Sequence, residues 1–329
     1  MPKAERNSLP VLAIDIGGTK ILTALVSNEN KIIAREYHRT LAHEGTQAVA
    51  NRLFSAIDHL LAHKNIDLSQ LHSISIAAAG AIDLARGIIT LTPNIGWRNF
   101  PLRDLVHQKY KIKTYLTNDA KAAALCEHEL GAGKGVRNLI YITVSTGIGG
   151  GIIIDNKLYT GARGSAGEVG HMTIEVNGQR CNCGNIGCWE TLASGTAMAE
   201  EAKRRIKQGE KSSLTDMVEG KIEHITAEKV EAAARSGDTL AQEVIQKTAT
   251  YLGIGLVNLV NIFNPEMIVV GGGLSKMGDL LLNPARQVVK ERAYEMAFQA
   301  VRIVPAQFGD DAGILGAVIF ARLQRETDE

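Results

Sequence analysis

Short apolar runs separated by turn residues open the chain. The first run, Val11–Asp15, ends at a pair of glycines, and the runs Ile21–Val26 and Lys31–Tyr37 follow closely. Such short connections predict antiparallel neighbours, because a parallel crossover needs a dozen or more residues. The opening of the chain is therefore predicted to be three antiparallel strands.

Amphipathic and buried segments then alternate through the first half. Apolar residues recur at helical spacing over Thr46–His63, and a second helix is predicted over Leu102–Tyr110. Strands are predicted at Ser73–Ala79 and Lys113–Thr117, and the helix Ala120–Leu130 follows the second of them. This alternation is typical of a mixed α/β fold.

The second half repeats the opening theme. Asn138–Ser145 is an apolar run that ends at a glycine-rich turn, and a returning hairpin follows it. A long helix, two strands and a closing helix are predicted at Leu240–Phe263, Met267–Val270, Arg302–Pro305 and Ala312–Gln324. Each half thus begins with a strand, a glycine turn and a returning strand, which is a weak internal repeat.

The length of 329 residues also favours two lobes, because a single core stops growing at roughly 250–300 residues. The predicted lobes are residues 1–119 with 312–329, and residues 120–311. If the glycine turns of the two lobes face each other, they line a cleft, since ligands bind at the carboxyl ends of such strands.

Composition and charge restrict the possible partners. The formal net charge is +1, so the chain lacks the basic surface that nucleic acid requires. The polar first ten residues lack the apolar core of a signal peptide, and no apolar run approaches the ~20 residues needed to cross a bilayer. We expect a cytoplasmic protein that binds neither membranes nor nucleic acid.

Two glycine turns are candidates for binding phosphate. Asp15 and the turn Gly17-Gly18-Thr19 lie between two predicted strands, and glycines let backbone N–H groups approach a phosphate. Asp15 could also hold a hydrated Mg²⁺. A tight hairpin turn is the alternative interpretation of this segment.

The second turn follows the strand that opens the second half. It contains Ser145, Thr146, Gly147, Gly149, Gly150 and Gly151. A simple hairpin rarely needs so many glycines, because each costs backbone entropy, and this favours a phosphate loop. The run Gly271–Gly273 also ends a strand and could seat a nucleoside, although close packing of strand and helix would explain it equally.

Asn118 and Asp119 lie where a predicted strand ends and a helix begins. Both residue types are favoured as helix N-caps, and this is the structural interpretation. Phosphoryl transfer needs positioning and charge stabilisation more than a strong base, so one carboxylate beside the acceptor hydroxyl is sufficient. Asp119 is therefore the candidate catalytic base, with Asn118 beside it for a sugar hydroxyl.

The most specific feature is a cluster of metal-ligand residues. His171, Cys181, Cys183 and Cys188 lie within one short segment, and two glycines separate the last two cysteines. Three thiolates and one imidazole complete a tetrahedral Zn²⁺ site that has no open position, so the predicted zinc is structural. It would order the carboxylates of Glu168 and Glu190 for a sugar, whereas solvated surface charge is the alternative.

These motifs together resemble the ROK family of sugar kinases, within the hexokinase–actin ATPase superfamily. DIGGTK and STGIGGG match the family's two phosphate loops, although Ser145 stands where many members have glycine. GEVGHMTI followed by CNCGNIGCWE matches its zinc signature, and DDAGILGAV at Asp310–Val318 resembles its closing motif. The resemblance covers nearly the whole chain and implies a two-lobed, actin-like ATPase fold (hexokinase/RNase H-like) with an interlobe cleft.

The resemblance also implies roles for individual residues. Asp119 corresponds to the family's catalytic base. The implied sugar contacts are Gly80, Asn94, Asn118, Asp119, Glu168, His171 and Glu190. The expected ATP contacts are Asp15, Gly17, Gly18, Thr19, Lys20, Thr146, Gly147, Gly149, Gly150, Gly271, Gly272 and Gly273, with Mg²⁺ accompanying the nucleotide.

The segment Thr92–Trp97 resembles the sugar loop of the family's glucokinases, which favours glucose and phosphorylation of its 6-hydroxyl. N-acetylmannosamine, N-acetylglucosamine and fructose remain alternatives, and Trp97 could equally be a packing residue.

The family also contains sugar-responsive repressors. Because Asp15 lies close to the start of the sequence, no helix-turn-helix domain is expected ahead of it. A non-catalytic sugar sensor is the alternative from another class. Family members are often dimeric, so we expect a homodimer or a higher homo-oligomer.

Overall fold

The structure, a computed structural model, describes residues 9–92 and 94–328. The polar residues 1–8, Pro93 of the predicted sugar loop and residue 329 lie outside the described residues. The strands are β1 Val11–Ile16, β2 Lys20–Val26, β3 Ile32–Arg39, β4 Ser73–Ala78, β5 Ala81–Asp83, β6 Ile88–Thr92, β7 Trp97–Phe100, β8 Thr114–Asn118, β9 Leu139–Val144, β10 Ile148–Ile154, β11 Lys157–Leu158, β12 Met267–Gly271 and β13 Arg302–Pro305.

Helices occupy much of the remaining chain. They are α1 Thr46–His63, α2 Leu102–Tyr110, α3 Asp119–Glu129, α4 Glu190–Ala193, α5 Gly195–Lys207, α6 Leu214–Met217, α7 Ala227–Arg235, α8 Thr239–Phe263, α9 Asp279–Arg292, α10 Glu295–Ala300 and α11 Ala312–Asp328. Among residues 9–92 and 94–328, no helix combines the length and the apolar character needed to cross a membrane.

The first sheet has the strand order β3-β2-β1-β4-β8. β1, β2 and β3 are antiparallel neighbours, as the short connections predicted. β1, β4 and β8 are parallel, and the register aligns Ile16 with Ala78 and Ala78 with Asn118. The three parallel strands therefore end at one edge of the sheet, where the residues that follow them can meet.

A buried core supports this sheet. α1 places Val49, Leu53, Ile57 and Leu60 on one face at helical spacing, and all are essentially inaccessible to solvent. α11 packs closely on α3, because a side chain at Gly316 would strike the backbone of Ala122. The packing of α1 and the packing of α11 on α3 both hold the strand ends in place.

A small sheet, β5-β6-β7, was not predicted from the sequence. Its strands are short and separated by turns, so they show little periodicity. Trp97 in β7 is fully buried, stacks on Phe100 at 4.5 Å and donates from Nε1 to the Thr46 carbonyl at 3.2 Å. Trp97 is thus a packing residue here.

The second five-stranded sheet has the order β11-β10-β9-β12-β13. β9, β12 and β13 are parallel, and Gly271 lies opposite Thr143. α8 packs on α9, where Gly253 lies against Val288, and the fully buried Trp189 lies against α8 at Gly255. Large side chains are thus accommodated where α8 has glycine.

Backbone contacts divide the chain into two compact units. The first comprises residues up to 135 together with 151–167 and the residues from 308 onward. The second comprises residues 136–150 and 168–307. The lobe boundaries inferred from the sequence, after residue 119 and before residue 312, stay a prediction.

Candidate active site and metal centre

The first phosphate loop follows β1 at the edge where the parallel strands of the first sheet end. Thr40, which follows β3, fixes the loop through two bonds: its N–H donates to the Thr19 carbonyl at 2.9 Å and its hydroxyl to the Gly17 carbonyl at 2.7 Å. Arg52 on α1 donates in turn to the Thr40 carbonyl at 2.7 Å. The loop is therefore held by its neighbours before any ligand binds.

Two positions at this edge must be glycine because neighbouring segments approach their backbone closely. A Cβ on Gly18 would lie 2.7 Å from the Cβ of Asn94, so the predicted sugar residue Asn94 packs directly on the phosphate loop. Gly80 has φ +100°, and a side chain there would collide with Leu91 and Thr92. Either substitution would push these segments apart.

Asn118 is the N-cap of α3, as the structural interpretation of this pair predicted. Its Oδ1 accepts from the N–H groups of Ala120 at 3.0 Å and Lys121 at 3.2 Å. Its Nδ2 donates to the Gly80 carbonyl at 3.1 Å. The amide thus joins two strand ends, and any contact with a sugar would be additional to these bonds.

Asp119 begins α3, and its Oδ1 accepts from the Ala120 N–H at 2.8 Å. Burial raises the pKa of Asp119 above its ordinary value, although this bond and the neighbouring Asn118 oppose the shift. A carboxylate with a raised pKa is a better proton acceptor than an exposed one. The geometry therefore allows Asp119 to act as a base.

Asp15 belongs to the same electrostatic environment. The pKa of Asp15 is raised to about 7. Burial is the largest cause, the charges of Asp119 and Asp310 add to it, and Lys20 opposes the shift. Lys20 Nζ contacts Asp310 Oδ1 at 3.0 Å. Asp310 was not among the site residues predicted from the sequence; its place in the closing motif was the only available signal.

The carboxylates at this edge suit the Mg²⁺ that accompanies ATP. Mg²⁺ prefers carboxylate oxygen and water, and a cation would relieve the repulsion between Asp15 and Asp119. Gly313 near the start of α11 leaves room for this group, because a Cβ there would lie 2.7 Å from the Asp15 carboxyl carbon. The residues present therefore fit the ion.

In the second unit, two glycine runs follow adjacent parallel strands, β9 and β12. The N–H of Ser145 donates to the Gly147 carbonyl at 2.9 Å and closes a tight turn. Gly272 has φ +85°, and a Cβ there would lie 2.5 Å from the Val144 carbonyl oxygen. The structure thus brings the predicted nucleotide residues Thr146, Gly147 and Gly271–Gly273 to one edge of the second sheet, while Gly149 and Gly150 lie within β10.

The segment Glu190–Thr196 is tied to this second loop by three bonds. Glu190 Oε2 accepts from the Ile148 N–H at 2.8 Å. The Gly195 N–H donates to the Ser145 carbonyl at 2.7 Å, and Thr196 Oγ1 donates to the Thr146 carbonyl at 2.8 Å. Neither Gly195 nor Thr196 was predicted from the sequence, because a single threonine two residues after an N-cap serine is unremarkable in a helix.

The predicted metal ligands converge in the second unit. One ligand atom from each of His171, Cys181, Cys183 and Cys188 lies within 4.8 Å of every other. The sulfurs of Cys183 and Cys188 are 3.7 Å apart, and Cys181 Sγ is 3.8 Å from His171 Nδ1. Tetrahedral Zn²⁺ with bonds of about 2.3 Å to sulfur and 2.0–2.1 Å to nitrogen requires separations of roughly 3.5–3.8 Å. The donor set therefore fits zinc.

Tight turns bring these ligands together. Gly184 and Gly187 have φ of +97° and +68°, values that other residues rarely adopt. Asn185 Nδ2 lies 3.4 Å from Cys188 Sγ and supports that thiolate. Since His171 directs Nδ1 towards the sulfurs, its Nε2 is the nitrogen left for another partner.

The predicted sugar residues fall into two groups, one in each unit. The first group comprises Gly80, Asn94, Asn118 and Asp119; the second comprises Glu168, His171 and Glu190. Within the second group, the His171 N–H donates to the Glu168 carbonyl at 3.2 Å, and Glu190 follows Cys188 by two residues. The metal ligands and the polar residues near them thus share one segment.

Similarity to known proteins agrees with these features. The ROK family model matches residues 11–324. The chain is 36% identical to a glucokinase from Halalkalibacterium halodurans over 319 residues, 97% of this chain and 96% of the other. It is also 36% identical to a xylose repressor from Caldicellulosiruptor bescii, covering 94% of this chain and 77% of the repressor.

Among solved structures, a ROK family glucokinase from Streptomyces griseus in complex with glucose and AMPPNP superposes with a TM-score of 0.85 at 35% identity. The match covers 95% of this chain and 99% of that chain. The predicted fold class, α/β of the actin-like ATPase type, is confirmed by these matches. The chain therefore belongs to the ROK family.

Proposed function

We propose that this protein is an ATP-dependent hexose kinase that phosphorylates the 6-hydroxyl of glucose. The glucokinase relatives and the ROK glucokinase structure support this activity. The observation that carries it is the position of Asp119, which lies beside the first phosphate loop at the edge where β1, β4 and β8 end. This is where a base and a phosphate site must meet.

In the proposed reaction, the 6-hydroxyl oxygen attacks the terminal phosphorus of ATP. The bond from that phosphorus to the bridging oxygen breaks, ADP leaves with the electron pair, and the hydroxyl proton passes to Asp119. Backbone N–H groups of a glycine loop stabilise the phosphates. Mg²⁺ supplies charge neutralisation when it accompanies ATP, and Asp15 is the residue that would hold it through water.

The proposal assigns a structural role to zinc. Held by His171, Cys181, Cys183 and Cys188, it would order the segment that carries Glu168 and Glu190, with His171 Nε2 directed to a sugar hydroxyl. The separations between the ligand atoms support this assignment.

We also propose that the protein is a cytoplasmic homodimer acting in glycolysis, by analogy with the family.

A non-catalytic sugar sensor is the second candidate. The similarity to a xylose repressor favours it. Asp119 and the intact glycine loops favour catalysis, because a sensor needs neither a base nor a nucleotide.

Changing Asp119→Asn tests the proposal directly. We expect turnover to fall by at least a thousandfold, because the acceptor loses its base, while calorimetry shows glucose affinity within threefold of wild type. Asp104→Asn, which alters an exposed carboxylate on α2, is the matched control and should retain full activity. Near-normal turnover in the Asp119 variant would contradict the catalytic role, and a wild-type protein without kinase activity would favour the sensor.

A further inference from the structure

Four side chains on the surface of the first unit form a group that the kinase activity does not use. Glu36 and His38 lie two residues apart on β3 and therefore share one face of the strand. His59 and His63 lie four residues apart on α1 and share one face of the helix. We call these four residues the histidine cluster.

The carboxylate of Glu36 lies at the centre of the histidine cluster. Its Oε2 is 2.6 Å from His59 Nδ1, and its Oε1 is 3.1 Å from His63 Nδ1. His38 Nε2 lies 3.6 Å from Glu36 Oε2, beyond hydrogen-bond distance. Within residues 9–92 and 94–328, this buried nitrogen meets no hydrogen-bond partner. A buried polar nitrogen without a partner is costly, so the nitrogen is available to a ligand.

We propose that the histidine cluster is a second metal site, which binds one divalent transition-metal ion such as Zn²⁺ or Ni²⁺. Two histidines four residues apart on a helix present their rings to one ion, and imidazole with carboxylate is a donor set that suits these metals. The 3.6 Å between His38 Nε2 and Glu36 Oε2 is close to the roughly 3.4 Å that two ligands of one tetrahedral zinc require.

The ion would enter from the exposed side of the cluster. The side chains of His59 and His63 are 66% and 61% exposed, whereas that of Glu36 is 12% exposed. The two exposed imidazoles can therefore turn away from the carboxylate, which stays in place. The ion then takes the position of the shared protons, and it connects β3 to α1.

This site differs in chemistry from the cysteine-rich centre. It contains no thiolate, so it selects metals that favour imidazole, and it lies in the other compact unit. The two sites can therefore be distinguished in one protein. The inference does not depend on the kinase activity.

The test uses untagged, full-length protein whose zinc content has been measured and left intact. Ni²⁺ is titrated by calorimetry at pH 7.5. We expect one Ni²⁺ per chain, and the His59→Gln/His63→Gln variant should bind it at least tenfold more weakly. The matched control is His43→Gln/His224→Gln, which removes two exposed histidines outside the cluster and should bind as wild type does.

The single variants Glu36→Gln and His38→Gln complete the test. Each should weaken Ni²⁺ binding at least threefold, because each removes a ligand supplied by β3. Circular dichroism verifies that each variant is folded, and a rise in the wild-type melting temperature with Ni²⁺ gives a second measure. The proposal is overturned if wild type binds no stoichiometric Ni²⁺, or if the double variant binds as tightly as wild type. Unchanged binding in both single variants would reduce the site to the helical pair alone and refute the four-residue site.

Discussion

At the scale of single residues, Asp15 and Asp119 are held in an environment that disfavours their charged forms. Burial is the largest cause for both, and for Asp15 the charge of Asp119 adds to it. Such sites have an electrostatic cost in the absence of a cation. Binding of a metal–nucleotide complex would offset that cost.

Changing Asp15→Asn should stabilise the nucleotide-free protein at high pH. The folded-state pKa of Asp15 is raised to about 7 from 3.8, so the folded chain holds an extra proton between these values and its stability falls as pH rises through this window. We expect the variant to be more stable than wild type by ~4 kcal/mol at pH 8, less at pH 5 and almost equal near pH 4.

Urea unfolding at the three pH values, without Mg²⁺, measures this difference. Asp104→Asn, which alters an exposed side chain on α2, serves as the control and should show no pH-dependent gap. If Asp15→Asn stabilised the protein more at pH 5 than at pH 8, the raised pKa of Asp15 would be contradicted.

Residue identities alone predicted part of this site. Gly17, Gly18 and Asp119 were identifiable because glycine runs and a carboxylate at a strand end have recognisable chemistry. The bond from Asn118 to the Gly80 carbonyl and the pairing of Lys20 with Asp310 were not predicted, because each joins residues far apart in the sequence. Such contacts depend on how distant segments pack together, which local patterns do not encode.

At the scale of elements, the start of α5 controls the second glycine loop. Thr196→Val should raise the KM for ATP about fivefold, because it removes the bond to the Thr146 carbonyl, whose net value is about 1 kcal/mol. We expect kcat and the KM for glucose to change less than twofold. Thr250→Val removes a similar hydroxyl bond within α8 and is the matched control. Steady-state kinetics that show no change in the ATP KM would refute this positioning role.

The zinc segment is the second element with a testable role. Cys183→Ser should abolish stoichiometric zinc, lower the melting temperature and raise the glucose KM at least tenfold, because the segment 171–190 loses its cross-link. The ATP KM should rise as well, since Glu190 accepts from the Ile148 N–H. Metal analysis, thermal unfolding and kinetics together measure these effects, with Cys126→Ala as the control. A zinc-free variant with unaltered stability and kinetics would exclude a structural zinc.

Long elements were the most predictable from the hydrophobic pattern. α1 and α2 have the bounds that the sequence predicted, and α8 differs by one residue at its start. The sheet β5-β6-β7 and the short helices α4, α6 and α10 were not assigned, because short segments give little periodicity and their structure depends on tertiary packing.

At the scale of the whole molecule, alternating strands and helices predicted only a mixed α/β chain. The motifs DIGGTK, STGIGGG and CNCGNIGCWE together supplied the family, and the match over residues 11–324 confirms it. The identity of the sugar depends on a few side chains, so neither the pattern nor the fold determines it.

A coupled kinase assay across glucose, mannose, fructose, N-acetylglucosamine and N-acetylmannosamine tests the proposed specificity. We expect the kcat/KM for glucose to exceed that for each N-acetylated sugar at least a hundredfold, because an added acetamido group must be desolvated and accommodated. Turnover with xylose should be lower still, since xylose lacks the 6-hydroxyl. A higher value for N-acetylmannosamine would reassign the enzyme within its family.

The absence of a side chain at Gly147 has a practical consequence for mutational screens. A methyl group there would collide with the carboxylate of Glu190, a residue proposed to bind the sugar. An alanine at position 147 would thus reduce affinity for glucose although the altered residue lies in a nucleotide loop. Phenotype alone would assign that residue to the wrong substrate.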